Sequence, residues 1–349
     1  MIDSILNELK DSSDTSESGR SHPYSSKVLS SYLQECHSTI PVSCFIKNAD
    51  SQDIDLSNLH LGPSSTSAIL KALKHSPNLF SLNLYDNSFG SIGFKALTSL
   101  LESAPRLTKL NIGRNKLNQV FQPILLLSLN NIKSQILDGE PNYKSPHELS
   151  PFLCFSSSSV TDLNVCGNSI GDNMMPFATS ALIDSKVKHL SIADNGLTKK
   201  SLDHIGNLAV GLTSLDISSN PLGSADCASI LFPSIFQSKI SHLNISNIGL
   251  DDDGVAILID SFKSGKQPRL KELIVCQNRF TVDGFFGFQF FNSVLNYLDL
   301  SKNLITSVQL VEFLKPFSSS STRLFVHNCC RVVSSELIDL VNNSSNLKI

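Results

Sequence analysis

Tryptophan is absent from the 349 residues, and only five tyrosines stand beside 20 phenylalanines. The aromatic side chains that anchor most tight interfaces are therefore in short supply. Charge is sparse as well: Asp, Glu, Lys and Arg together make up 17% of the chain, below the roughly 25% of an average globular protein. The 28 basic and 31 acidic side chains leave a formal net charge of −3. There is no polybasic block, which argues against a nucleic-acid surface built on lysine and arginine. No apolar run approaches the roughly 18 residues that suggest a membrane span. Met1 to Lys10 is an acidic amphipathic stretch without a basic start, so it does not read as a secretory signal. None of the eight cysteines forms a Cys-x-x-Cys pair. Without a signal they are expected as free thiols in a reducing, cytoplasmic setting. The Asn-x-Ser sequons at Asn244, Asn342 and Asn343 are then chance matches.

What is present is an apolar content of 41%, enough for a large core, and it is periodic. The pattern Leu-x-x-Leu-x-Leu-x-x-Asn-x-Leu recurs as LFSLNLYDNSF from Leu79, LTKLNIGRNKL from Leu107 and VTDLNVCGNSI from Val160. It continues as VKHLSIADNGL from Val187, LTSLDISSNPL from Leu212, LKELIVCQNRF from Leu270 and LNYLDLSKNLI from Leu295. Weaker copies surround Ile54–Leu56, Leu243–Ile245 and Leu324–Val326. One phase of the pattern holds Leu59, Asn87, Asn115, Asn168, Asn195, Asn220, Ile248, Asn278, Asn303 and Cys329, seven of the ten being asparagine. A fixed period in this range means stacked structural units.

These segments resemble the leucine-rich repeat family, and a unit of about 28 residues with a helix-like second half resembles its ribonuclease-inhibitor-like subclass. The likeness implies an α/β solenoid, a horseshoe of about ten repeats with parallel strands on the concave face and helices on the convex face. The residues themselves agree. Leu82-x-Leu84 alternates with period two, as a strand does. Phe94, Leu97, Leu100 and Leu101 mark one helical face; Ile257, Leu258 and Phe262 mark another. Neither face can be buried by one unit alone, so the units stack. Ten strands at about 4.8 Å span an arc of roughly 45 Å. The buried asparagines need partners and are expected to bond backbone groups of their own turn and the neighbouring coil. Cysteine, small and tolerant of burial, fills the same place at Cys329.

Three segments depart from the repeat. Residues 1–26 form a largely Ser-rich N-terminal segment, expected to be flexible. Residues 27–44 are predicted as a helical cap, with Val28, Leu29, Tyr32 and Leu33 on its apolar side. The repeat domain then runs over 45–349, with an insertion at 137–159 where two ladder positions stand 53 residues apart. Leu347-Lys348-Ile349 looks like the opening of an eleventh strand.

Strand alternation turns two columns of side chains outward on the concave face. One runs Asp55, Asn83, Asn111, Asn164, Ser191, Asp216, Asn244, Ile274, Asp299, Phe325; its neighbour includes His189, Ser214, His242, Glu272, Tyr297 and Arg323. The columns are small and polar except near the C-terminal end. There Ile274, Tyr297 and Phe325 form an apolar patch with Glu272, Lys302 and Arg323 at its rim, the predicted partner contact. Tyr85 and Arg114, in the turns after the second and third strands, join the candidate contacts. His189, Ser214 and His242 line up in consecutive units, but with no oxyanion donors or pocket they do not make a catalytic site. His327, Cys329 and Cys330 cannot share a metal, because one cysteine faces inward and the other away. The chain is expected to be no enzyme and to hold no cofactor or metal. The expected function is a protein–protein interaction module using its concave face and loops, without nucleic-acid or membrane binding. The same repeat subclass includes the Ran GTPase-activating proteins, whose Gly-Arg-Asn-Arg-Leu stretch is similar to Gly113-Arg114-Asn115-Lys116-Leu117. That likeness implies, as the alternative, an activator acting on a small GTPase through Arg114 and Asn115.

Overall fold

The computed structural model describes residues 27–36, 42–117, 153–265 and 269–349. Eleven parallel strands follow one another in chain order: β1 (Asp53–Asp55), β2 (Ser81–Asn83), β3 (Lys109–Asn111), β4 (Asp162–Asn164), β5 (His189–Ser191), β6 (Ser214–Asp216), β7 (His242–Asn244), β8 (Glu272–Ile274), β9 (Tyr297–Asp299), β10 (Arg323–Phe325) and β11 (Leu347–Lys348). The register never slips. Leu82, Leu110, Leu163, Leu190, Leu215, Leu243, Leu273, Leu298, Leu324 and Leu347 pair in succession and point inward, each no more than 2% exposed. A one-residue shift would turn every leucine to solvent, which is why the register holds.

Helical segments return the chain behind the strands and pack on one another. A helix is about 10 Å across while strands are about 4.8 Å apart, so the helical side is the longer one and the ribbon must bend. The result is the leucine-rich-repeat horseshoe, an α/β solenoid, whose eleventh strand is the short one that Leu347-Lys348-Ile349 suggested. Toward the C-terminus the helices shorten: Val282–Gly287 has six residues and gives way to a 3₁₀ turn, Phe288–Phe291. Phenylalanine fills the space left behind. Phe285, Phe288, Phe291, Phe313 and Phe317 are fully buried, and Phe285 meets Phe313 edge to face at 4.6 Å. A ring covers more apolar area per residue than an aliphatic chain, so a short helix can still close the core.

At the N-terminal end the helix Lys27–Glu35 buries Val28, Leu29 and Tyr32 against the helix Gly62–Leu73. The Val42 N–H donates to the Tyr32 hydroxyl at 2.9 Å, and the Tyr32 ring meets Phe45 edge to face. The N-terminal segment 1–26 and most of the predicted insertion lie outside the described residues. Residues 153–159 of that insertion are described, and they are regular repeat. Phe155 is buried, and the Ser158 hydroxyl donates to the Phe155 carbonyl and accepts from the Val160 N–H. Ser185 and Ser238 make the same return from helix to strand in later units. β3 pairs directly with β4 across this unit.

The asparagines at one phase of the repeat form a ladder through the interior. All seven are buried or nearly so. Each amide nitrogen donates backward, to a carbonyl of the preceding coil: Asn87 to Leu56, Asn115 to Leu84, Asn168 to Ile112, Asn195 to Val165, Asn220 to Ile192, Asn278 to Ile245 and Asn303 to Val275, at 2.8–3.2 Å. Each amide oxygen accepts from a backbone N–H of that same preceding coil, as Asn220 does from Asn195 and Leu197. The ladder thus knits coils together as well as shaping each turn. At Cys329 the thiol donates to the Leu300 carbonyl at 3.2 Å, and burial pushes its pKa up to about 12, so it remains a donor. Leu59, at the ladder phase of the first unit, is instead exposed. At Ile248 an alkyl chain fills the place, and the coils touch through backbone: a Cβ on Gly223 would fall 2.3 Å from the Leu250 nitrogen.

Asn195→Ala strands the N–H groups of Asn168 and Ile170 and leaves the Val165 carbonyl with the Asn168 amide alone among these side-chain donors. The expected cost is about 1–3 kcal/mol, read as a lower urea midpoint; a midpoint equal to wild type contradicts the role assigned to the amide.

Candidate functional site

The concave face begins with the turn that follows each strand. The residue before the ladder position is left-handed in every unit: Asn58, Asp86, Arg114, Gly167, Asp194, Ser219, Asn247, Gln277, Lys302 and Asn328 have φ between +52° and +64°. Six of the ten are Asn, Asp or Gly, the residues that bear this conformation most easily. A second side chain shapes the turn from the strand end. Asp55, Asn83, Asn111, Asn164, Asp216, Asn244 and Asp299 each accept, through Oδ1, the N–H two residues ahead, at 2.9–3.2 Å. This is an Asx turn repeated along the horseshoe. The column that alternation assigns to display is therefore largely structural, which corrects the reading of it as free surface. The signal was in the sequence: Asn or Asp recurs four residues before the ladder position.

Two strand ends in this column are apolar, Ile274 and Phe325, and neither can cap the turn. In both units a serine of the preceding unit does so instead. Ser246 Oγ accepts from the Cys276 N–H at 3.1 Å, and Ser301 Oγ accepts from the His327 N–H at 3.0 Å. At the third exception, Ser191, the hydroxyl donates to Asp216 Oδ2 at 3.1 Å. Sequence reasoning missed the two serine relays. They release Ile274 and Phe325 from turn duty and leave their side chains on the concave surface, half-buried.

The predicted apolar patch is only partly contiguous. Tyr297 and Phe325 lie diagonally across β9 and β10 with ring centroids 4.9 Å apart, and His327 stands 5.6 Å beyond Phe325. Ile274 pairs in register with Asp299, and Asp299 pairs with Phe325, so a carboxylate separates the two apolar residues of that column. The Tyr297 hydroxyl donates to Asp299 Oδ2 at 3.4 Å. Burial first, then the Asp299 carboxylate, push the Tyr297 phenol up to about 12, with Glu272 adding to the shift; burial and Asp299 push Cys276 up to about 12 as well. The local field is negative. Glu272 neighbours Tyr297 in register and lies 3.7 Å from His242 Nε2; Arg323 flanks Tyr297 on the other side. Lys302 is exposed in the turn after β9.

Tyr85 and Arg114 sit apart from this patch, on the turns after β2 and β3. The Arg114 guanidinium lies 5.9 Å from the Tyr85 ring centroid and 3.9 Å from Asp194 Oδ2. To reach Asp194 it passes over Gly167, where a Cβ would come within 2.7 Å of Arg114 Cγ. His189, Ser214 and His242 are in register on β5, β6 and β7 as expected. His242 Nδ1 is 2.8 Å from the Ser241 hydroxyl rather than from Ser214. All eight cysteines are free; Cys329 is buried and Cys330 half-exposed. Among the described residues no group of three or more His, Cys, Asp or Glu side chains is placed to hold a metal, and no helix is long and apolar enough to cross a membrane.

No family model matches the chain. Among curated proteins, the Tonsoku-like protein of Danio rerio is 27% identical over 218 residues, covering 57% of this chain and 15% of that protein. The chain thus corresponds to a small part of the relative's length. Among solved structures, a chain from the crystal structure of the Rad7 and Elc1 complex in yeast aligns over 94% of this chain and 92% of its own length, at 14% identity and a TM-score of 0.40. A likeness that low has no bearing on function.

The serine relay is open to a double-mutant cycle. Ser301→Ala removes the acceptor of the His327 N–H and should cost about 0.5–1.5 kcal/mol. Phe325→Asn restores an acceptor within the same unit, so the double variant should lose less stability than the two single losses added together. Strict additivity of the urea midpoints would refute the relay.

Proposed function

We propose that the chain is a non-catalytic interaction module that holds a protein partner on its concave face and loops, with Tyr297, Phe325 and Ile274 as the anchors, Glu272 and Arg323 at the rim, and Tyr85 and Arg114 as a lesser contact toward the other end. The observation that carries this reading is the pair of relays from Ser246 and Ser301. Asn or Asp at positions 274 and 325 would close those turns within the unit, as it does in seven others. Apolar residues there are not needed for the fold and cost solvation, which makes sense where another molecule covers them. The Tyr297–Phe325 pair supplies the ring area that interface anchors use.

The affinity-tagged chain and its Tyr297→Ala/Phe325→Ala variant, compared in parallel pull-downs, test the patch. The variant should lose a partner that wild type retains; full retention of every recovered protein removes these residues from the site. The activator alternative has its own assay. Arg114 is already engaged by Tyr85 and Asp194. Adding the chain to GTP-loaded Ran should leave the rate of phosphate release unchanged, and a marked acceleration would reverse the choice between the two readings.

A further inference from the structure

The charge of the concave face is not required by its architecture. Across the six central strands β4–β9 the two outward columns contain four carboxylates, Asp162, Asp216, Glu272 and Asp299, and no lysine or arginine. Their only basic side chains are His189 and His242. Lys109 on β3 and Arg323 on β10 bracket this stretch. Asp216 and Asp299 cap turns, but Asn83, Asn111, Asn164 and Asn244 cap the same turn with a neutral amide. One oxygen is enough for the turn. The second oxygens accept the hydroxyls of Ser191 and Tyr297 on the same face, so the negative charge at 216 and 299 is surplus to the turn, and it brings like charges onto one face, where they repel. Glu272 caps nothing and stands 3.7 Å from His242.

From this surplus we infer that the partner segment held by the concave face is basic: an extended stretch of polypeptide whose lysine or arginine side chains meet Asp216, Glu272 and Asp299 and whose apolar or cationic face rests on the Tyr297–Phe325 pair. The inference rests on the interaction-module reading and adds to it the chemistry of the partner. Six strands at about 4.8 Å span about 24 Å, the length of roughly seven extended residues. A guanidinium that approaches Asp299 also meets the faces of Tyr297 and Phe325, 4.9 Å apart, so the same group gains ion pairing and cation–π contact. Burial first, and then the Asp299 carboxylate, raise the Tyr297 phenol and the Cys276 thiol, so the Asp299 charge acts at the same place.

Three fluorescein-labelled peptides of about nine residues, long enough to span the six strands, serve as probes: one alternating arginine with leucine, one with glutamate in place of each arginine, and one of glycine and serine. Anisotropy with the full chain should show the arginine peptide bound at least about tenfold more tightly than the glutamate peptide, with affinity falling as salt is added. Asp216→Asn/Glu272→Gln/Asp299→Asn keeps every turn cap and removes three charges. It should weaken the arginine peptide by about tenfold or more while leaving the thermal midpoint near wild type. Glu272→Gln alone, which touches no turn, should weaken it in the same direction even if the triple variant folds poorly. Equal binding of the arginine and glutamate peptides, or an arginine affinity unmoved by Glu272→Gln and by the triple variant, overturns the inference. The two readings separate in the pull-down. A partner lost with Tyr297→Ala/Phe325→Ala but kept by the charge-neutral variant preserves the module and removes its basic partner; a partner kept by both removes both.

Discussion

The structure depends on a buried primary amide that faces backward. Each ladder asparagine donates to a carbonyl of the coil before it and accepts from that coil's N–H groups. A turn buried between two layers has backbone groups that water cannot reach, and each would be costly if unmet. A primary amide carries its acceptor oxygen and its two N–H donors on separate atoms, so it can meet carbonyls and N–H groups at once. Leucine packing supplies most of the driving force for stacking, but it is non-directional and would tolerate coils that slide. The amides convert stacking into register. Where an amide is missing, at Ile248, backbone contact takes over, and Gly223 allows it by having no side chain.

A second polar layer lies closer to solvent. The Asx turns fold the chain from strand to loop, and they occupy positions that strand alternation would leave free for display. A horseshoe of this kind thus has less disposable surface than its sheet area suggests. A unit can present an apolar side chain at the strand end only if another group takes over the turn. Ser246 and Ser301 do so, each accepting forward through Oγ while its own N–H donates back to Asn244 or Asp299. Ile274 and Phe325 can face the concave surface because their turns are capped from one unit upstream.

The fold was largely legible in the sequence because it is written many times. Leu82, Leu110 and Leu163 fix the strand phase, and Asn87, Asn115 and Asn168 fix the turn, so one misread unit is outvoted by the rest. Legibility failed where a unit departs from its neighbours. In the unit before β4 the short helix Leu153–Ser156 lacks the run of apolar residues that marks the others, although Ser158 repeats the return made by Ser185 and Ser238. The candidate site was legible as composition but not as geometry. Ile274, Tyr297 and Phe325 were identified as outward-facing, and the column order already put Asp299 between Ile274 and Phe325, yet nothing in the spacing indicated that Tyr297 meets Phe325 diagonally or that His327 extends the ring stack. Those relations cross strands, and a one-dimensional pattern does not carry diagonal contacts.

Repetition also separates structural polarity from the other kind. In an ordinary domain a carboxylate that accepts a backbone N–H is explained by that bond, and its charge passes without comment. Here the same bond is made many times in one molecule, and several units make it with asparagine. Whatever distinguishes Asp216 and Asp299 from Asn83, Asn111, Asn164 and Asn244 cannot be the turn, since the turn is common to all of them. The remaining differences are the second oxygen, which accepts the Ser191 hydroxyl at Asp216 and the Tyr297 hydroxyl at Asp299, and the charge, placed on a concave face where it repels its neighbours and where no lysine or arginine of β4–β9 neutralises it. Clefts lined with one sign of charge concentrate molecules of the opposite sign. The units therefore act as controls for one another: what they share belongs to the fold, and what a few add at an equivalent position is not required by it.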